Sequence, residues 1–277
     1  MESAEKKMLR RREKRTFRTY IVTSCKGGIG KSTVTANLAM AVAARGHRVL
    51  MIDCDFSNRS LDLIMGVEDK VVYDVCDLVC GRSELARCVI RDSRNENLYF
   101  IPAPLVKVDE FPPEKFSAAV TAAADELKCE YVFIDTPGAS DSTLPLVADV
   151  ADSALIVASH QPTSVRGAEK MGVMLEEFGV PELYLVINRY DGEQVLKGNR
   201  PGINSLIDRT HVRLIGVIPD SDTLELEQEN GILACQISGD KTGAPVAFEE
   251  LAGRICGERI PLMSFVNEKK RRKLLYS

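Results

Sequence analysis

No uncharged apolar stretch in this 277-residue chain approaches the length of a membrane span. The best candidate, Thr33 to Ala44, reads as a helix that opens from a glycine loop. Residues 1–18 are basic but lack the apolar segment of a signal peptide, so export is not expected. The eight cysteines include no pair of Cys-x-x-Cys units, which excludes the usual zinc spacings and, with no secretion signal, points to reduced thiols in a cytosol. Cys76 and Cys80, one turn apart, read as helix packing. No internal repeat or low-complexity tract is present. What remains is ordinary globular composition, 45% hydrophobic and 27% charged, in a length that suits one large α/β domain with a substantial core.

The formal net charge of −4 hides an uneven distribution. Residues 1–18 hold eight Lys/Arg and three Glu, a net of +5, and residues 267–277 hold five Lys/Arg and Glu268, a net of +4. The remainder carries −13. Basic ends on an acidic body suit an anionic partner, lipid or nucleic acid. Charged termini are also what solvated tails look like, and residues 1–14 read first as that.

Short apolar runs alternate with helical periodicity throughout. Strands are expected at 19–24, 48–53, 97–101, 130–135, 153–159, 182–188 and 213–218, and helices near 31–45, 114–128, 163–178 and 243–256. Continuous runs such as Val49-Leu50-Met51-Ile52 and Tyr131-Val132-Phe133-Ile134 suit strands buried on both faces. The expected fold is α/β, a mostly parallel central sheet with helices on both faces. Right-handed crossovers then bring the loops after the strands to one edge, where ligands bind. Residues 197–202 read as a loop, and Pro261 as the separator of domain from tail. The expected division is a basic extension over 1–18, a domain over 19–263 and a basic tail over 264–277.

One loop carries the chemistry. Cys25-Lys26-Gly27-Gly28-Ile29-Gly30-Lys31-Ser32-Thr33 lies between the first strand and the first helix. Glycines let backbone N–H groups curl round an oxyanion, and the helix N-terminus adds partial positive charge. Lys31 reaches the outer phosphates and the Ser32 hydroxyl can ligate Mg²⁺. The usual phosphate loop has a Gly four residues ahead of the Gly-Lys pair; here that position is Cys25, and a second lysine, Lys26, precedes the paired glycines.

Three further strand ends carry suitable groups: Asp53-Cys54-Asp55, Asp135 before Thr136-Pro137-Gly138, and Asn188-Arg189. A carboxylate at Asp135 can hold Mg²⁺ through water, and a side-chain amide at Asn188 can read a base edge. Asp and Asn also end strands for their turn preference alone, but three such ends beside a phosphate loop make coincidence a poor account. Cys25 and Cys54 fall beside the same loop, where oxidation could block binding.

Lys26 to Thr33 resembles the signature loop of the MinD/ParA family of deviant Walker A P-loop ATPases. Within the family the likeness favours the septum-site-determining MinD branch, through Asp53 to Asp55, Arg59-Ser60-Leu61-Asp62-Leu63-Ile64-Met65-Gly66, Glu96 to Ala103, Val165-Arg166, Gly216-Val217-Ile218-Pro219 and Gly257 to Met263. It covers roughly residues 19–263.

The resemblance implies an ATP-dependent homodimer with two ATPs at its interface and slow hydrolysis of ATP to ADP and phosphate until a partner completes the site. Lys26 would reach the partner subunit's phosphates, and Lys31 would hold the β- and γ-phosphates of its own subunit. Gly27, Gly28, Ile29 and Gly30 would line the cradle, Ser32 would ligate Mg²⁺ and Thr33 would contact the α-phosphate. Asp55 would position or deprotonate the attacking water, and Asp53 and Asp135 would support the metal. Asn188 and Arg189 would lie at adenine with the backbone around Pro219, Asp220 and Asp222. A division inhibitor or activator of the MinC or MinE type is an implied partner. The implied location is cytoplasmic, peripheral at the inner face of the membrane.

Two positions depart from the family. Ser60 stands where an Asn is usual, which bears on partner-triggered hydrolysis. The tail from Phe265 to Ser277 lacks an unbroken apolar face, because Lys270 and Lys273 interrupt the side shared by Leu262, Met263 and Val266. Basic residues near anionic lipid contribute about 1 kcal/mol each, so the tail with Leu274, Leu275 and Tyr276 suits reversible attachment of a dimer. The rival readings are a flagellar-placement ATPase, a ParA-type DNA-partition ATPase and a non-hydrolysing scaffold. An iron–sulfur carrier would need a Cys-x-x-Cys that Cys235 and Cys256 do not supply. Sequence-specific nucleic acid binding is not expected.

Overall fold

The computed structural model describes residues 15–105, 112–138 and 143–276. Apolar runs form the strands β1 (Arg18–Ser24), β2 (Val49–Asp53), β3 (Ile90–Arg91), β4 (Leu98–Ile101), β5 (Tyr131–Gly138), β6 (Ser153–Ala158), β7 (Glu182–Tyr190) and β8 (Arg213–Pro219). They make one eight-stranded sheet in the order β3-β4-β2-β5-β1-β6-β7-β8. Only the β3–β4 pair at the edge is antiparallel.

The helices are α1 (Lys31–Ala44), α2 (Leu61–Met65), α3 (Val75–Val79), α4 (Leu85–Cys88), α5 (Pro113–Glu126) and α6 (Thr143–Ala148), then α7 (Pro162–Glu177), α8 (Gly192–Leu196), α9 (Ile203–Thr210), α10 (Asp222–Gln228), α11 (Ala244–Ile255) and α12 (Glu268–Tyr276). Side chains alternate across each strand. Val49 and Met51 therefore enter the core under α1, α2, α10 and α11, while Leu50 and Ile52 enter the opposite core with α5, α6, α7 and α9. Helix α1 is buried on nearly every side, from Val34 to Ala43, which explains its apolar run without a membrane. Among the described residues no helix is long and apolar enough to cross one.

The seven expected strands and four expected helices form within a few residues of their expected bounds. Asp135 does not end its strand: β5 continues through Thr136-Pro137-Gly138, with Gly138 opposite Ser24 after a register shift in β1. The shift falls opposite Pro137, which has no N–H to give a ladder. The short helices α2, α4, α6, α8 and α10 and the two-residue β3 have no sequence period long enough to announce them.

Packing also continues past both expected domain limits. Phe17 is buried, and the Arg15 guanidinium donates to Val150 O at 2.9 Å. Residues 1–14 of the basic extension lie outside the described residues. At the other end Met263 and Leu274 belong to the core, and the Ser264 hydroxyl bonds the Glu250 carboxylate. Leu274 packs over Gly192, and its carbonyl accepts from Tyr190 Oη at 3.3 Å. Of the apolar trio expected to face lipid, Leu274 is therefore occupied by the protein itself. Tyr276 is exposed, as are Lys269, Lys270, Arg272 and Lys273.

Candidate functional site

Residues 25–30 turn from the end of β1 into α1 at the carboxyl edge of the sheet. Gly28 and Gly30 hold φ of +74° and +85°, a region that a side chain strains. A Cβ on Gly30 would also stand 2.4 Å from Asn188 Nδ2. Space is open where Gly27 and Gly28 would carry a Cβ, so backbone is presented directly. Gly30 caps α1 without a side-chain bond, leaving the first-turn N–H groups to an outside acceptor. Lys31 is buried behind the loop, whereas Lys26 is exposed and donates to Gln161 Oε1 at 3.0 Å.

The acids converge because β2 and β5 are neighbours and Asp53 lies in register with Asp135. Asp135 accepts from Ser32 Oγ at 2.6 Å and from Thr35 Oγ at 2.9 Å. Asp53 Oδ1 accepts the Asp55 N–H at 2.8 Å. Burial pushes the Asp135 carboxyl up to about 6, against the opposing hydrogen bonds of Ser32 and Thr35 and the charge of Lys31. Burial, then repulsion from Asp135, pushes Asp53 well above the carboxylate range.

Two buried carboxylates side by side fit a divalent cation, which would relieve both costs. Among the described residues no group of three or more His, Cys, Asp or Glu is placed to hold a metal alone. The donor set is instead a hydroxyl with carboxylates behind it, which suits a cation sharing its oxygens with phosphate and water.

The raised carboxyls set a pH dependence. A carboxyl whose folded pKa exceeds its unfolded value contributes stability below the unfolded value, near 4, and that contribution is lost as pH rises through about 6. Asp135→Asn keeps an acceptor for Ser32, and its amide can donate to Thr35 Oγ, whose own proton then goes to Lys31 O. The metal-free variant should melt a few degrees above the wild type at pH 7 and lose part of the slope between pH 4 and 7. A lower melting temperature at pH 7 would contradict a cost of burying the Asp135 charge.

Asp55 is buried at the rim. Its Oδ1 accepts from Ser57 Oγ at 2.7 Å and from the N–H groups of Ser57 and Asn58 at 3.3 and 3.1 Å. Those bonds stiffen the turn leading to α2. The loop thus holds Asp55 by one carboxylate oxygen among the described residues.

Beside Thr33 lies a cavity of about 490 Å³. Of the expected residues, Thr33, Asn188, Arg189, Pro219 and Asp220 line it. Asp222 does not: Ser221 caps α10, its Oγ accepting the Leu224 N–H at 3.1 Å, and Asp222 is exposed on the first turn. Asn188 Nδ2 donates to Ile29 O at 2.8 Å, so this amide braces the loop from the cavity side. Arg189 pairs with Glu225 at 2.6 Å on the same wall. Sequence reasoning marked Ser60 only as a departure from the family and missed Leu63 and Ile64 of the α2 wall and Leu224 and Gln228 of the α10 wall. The four-residue spacing of Leu224 and Gln228 is the one signal that could have placed them on a single helix face.

The two flagged cysteines are poor candidates for a redox role. Burial, then the charge of Asp53, pushes the Cys54 thiol well up, and burial raises Cys25 against the opposing charge of Lys170. Both shifts disfavour the reactive thiolate.

Comparison with known proteins places these features in a lineage. The model of the CobQ/CobB/MinD/ParA nucleotide binding domain matches residues 20–233. The septum site-determining protein MinD of Synechocystis sp. is 31% identical over 251 residues, spanning 90% of this chain and 93% of that protein. The structure of the MinC:MinD cell division protein complex of Aquifex aeolicus is similar, with a TM-score of 0.82 at 31% identity over 88% of this chain and 98% of that one. The septum site-determining protein MinD of Pyrococcus horikoshii, complexed with Mg-ADP, has a TM-score of 0.75 at 27% identity over 86% and 96% of the two chains.

Proposed function

The chain belongs to the CobQ/CobB/MinD/ParA nucleotide-binding family, and on that premise we propose that it is a Mg-ATP-dependent dimerising ATPase that binds membrane reversibly and helps place the division site. The observation that carries the reading is the phosphate loop facing the buried pair Asp53 and Asp135, with a base-sized cavity beside Thr33. Catalysis here is positioning and charge neutralisation. The loop N–H groups and Lys31 hold the β- and γ-phosphates, and Thr33 holds the α-phosphate. Mg²⁺, when bound, neutralises charge on those phosphates. Ser32 would be its protein ligand, and Asp53 and Asp135 would support it. Asp55 orients the attacking water, and Lys26 leaves Gln161 to reach the phosphates of a second subunit. Asn188, Arg189, Pro219 and Asp220 surround the adenine. The septum-determining relatives support the division role and suggest a MinC-type partner.

The membrane step is assigned to α12. Because Leu274 is packed inside, the docked helix offers chiefly charge, and a dimer doubles it by presenting two helices. Co-sedimentation with anionic vesicles should require ATP rather than ADP and weaken with salt. The double variant Lys269→Glu, Lys270→Glu should lose at least tenfold in vesicle binding with dimerisation intact. Deleting residues 264–277 is a poorer test, since it strips Leu274 from the core. If the ATP form ignores vesicles but coats DNA, the partition reading replaces this one.

A further inference from the structure

We propose that Ser60 is a positioning residue for the cation that accompanies the nucleotide, acting through the hydroxyl of Ser32; the proposal rests on the Mg-nucleotide reading above. Ser60 is the N-cap of α2. A serine there ordinarily turns its oxygen back to accept an N–H of its own helix. Ser60 makes no such bond. Its hydroxyl instead donates to Ser32 Oγ at 3.0 Å, and Ser32 Oγ donates onward to Asp135 Oδ2 at 2.6 Å.

A hydroxyl has one proton and two lone pairs. At Ser32 the proton is committed to Asp135 and one lone pair accepts from Ser60, which leaves one lone pair for a cation. With both other directions occupied, the Ser32 rotor is fixed before any ligand arrives. Without Ser60 it keeps a single anchor, and water competes for the freed direction. Contacts of this kind around a metal ligand set its orientation and commonly govern affinity.

The backbone around Ser60 is held for the purpose. Arg59 has a φ of +32°, uncommon for a residue with a side chain. It is secured by a largely buried ion pair with Asp62 at 2.7 Å. The next residue, Leu61, gives its N–H to Asp53 Oδ2 at 3.4 Å. The same turn therefore touches Ser32 through Ser60 and Asp53 through Leu61.

The test is Mn²⁺ binding to the full-length protein with ADP, read by electron paramagnetic resonance of free Mn²⁺. Ser60→Ala should weaken Mn²⁺ affinity by roughly tenfold or more. The melting temperature of the metal-free protein should stay at the wild-type value, and because Ser60 also lines the cavity beside Thr33, any loss of ADP affinity in EDTA should be much smaller than the loss of Mn²⁺ affinity. Ser60→Thr, which keeps the hydroxyl, should recover most of the loss. Unchanged Mn²⁺ affinity in Ser60→Ala would overturn the proposal. So would a loss matched by falling ADP affinity in EDTA or a falling melting temperature, since that would mark a merely structural serine. A wild-type protein that binds ADP but no Mn²⁺ would overturn the Mg-nucleotide reading and Ser60's role with it. Weak binding confined to Ser60→Ala strikes neither.

Discussion

Asp55→Ala is expected to lower ATP turnover by at least a hundredfold while ATP binding and ATP-dependent dimerisation persist. A group that orients or deprotonates the attacking water contributes roughly 10²–10⁴ in rate and little to ground-state binding. Asp55 also has a structural duty, because its Oδ1 organises the turn at Ser57 and Asn58. The alanine variant therefore mixes loss of chemistry with loosening of the segment before α2. Asp55→Asn separates the two: it keeps an oxygen to accept those bonds and removes the charge and the basicity. Both variants should show depressed phosphate release in single-turnover measurements, with the asparagine protein melting close to wild type. Near-normal phosphate release from Asp55→Asn would remove Asp55 from its assigned role.

Lys26→Ala should abolish ATP-dependent dimers and, with them, most of the turnover. A cation supplied in trans to transferring phosphates is worth roughly 10³–10⁵ in rate where it has been dissected in other phosphoryl-transfer enzymes. The variant should fold normally, because Lys26 is exposed and its side-chain contact, to Gln161, is a surface hydrogen bond worth little to stability. Lys31→Ala should behave differently. Lys31 is buried behind the loop, so its loss weakens nucleotide binding within each subunit. Size-exclusion chromatography with Mg-ATP, paired with nucleotide affinity on the monomer, distinguishes the two lysines. A Lys26→Ala protein that still dimerises with ATP would assign the trans contact elsewhere.

The fold was legible where local rules and burial agree. Val49 to Ile52 and Tyr131 to Ile134, short apolar runs rich in β-branched and aromatic residues, form strands as expected, and the glycines of the loop announce the turn into α1. The short elements were not legible, since α2 and α10 are five and seven residues long, under two turns each. Their existence depends on what they pack against rather than on their own periodicity. Asp222 illustrates the same limit at the site. The family resemblance implied backbone near adenine as far as Asp222, but Ser221 caps α10, which begins at Asp222 and leaves that residue exposed on the first turn.

Residue type and spacing determined the chemistry on their own: a glycine loop, Lys26, Lys31, Ser32, and acids at the ends of apolar runs. Each of these is a property of a short local segment and needs no long-range contact to be read. Tertiary structure decided the couplings. The β2–β5 register set Asp53 beside Asp135 across 82 residues of chain; burial raises both carboxyls, and for Asp53 repulsion from Asp135 adds to it. Packing likewise turned Ser60 away from its own helix toward Ser32, and drew Leu274 of the basic tail into a core shared with Tyr190. Such contacts arise from which elements become neighbours in the sheet and on its two faces, and a one-dimensional pattern does not carry that information.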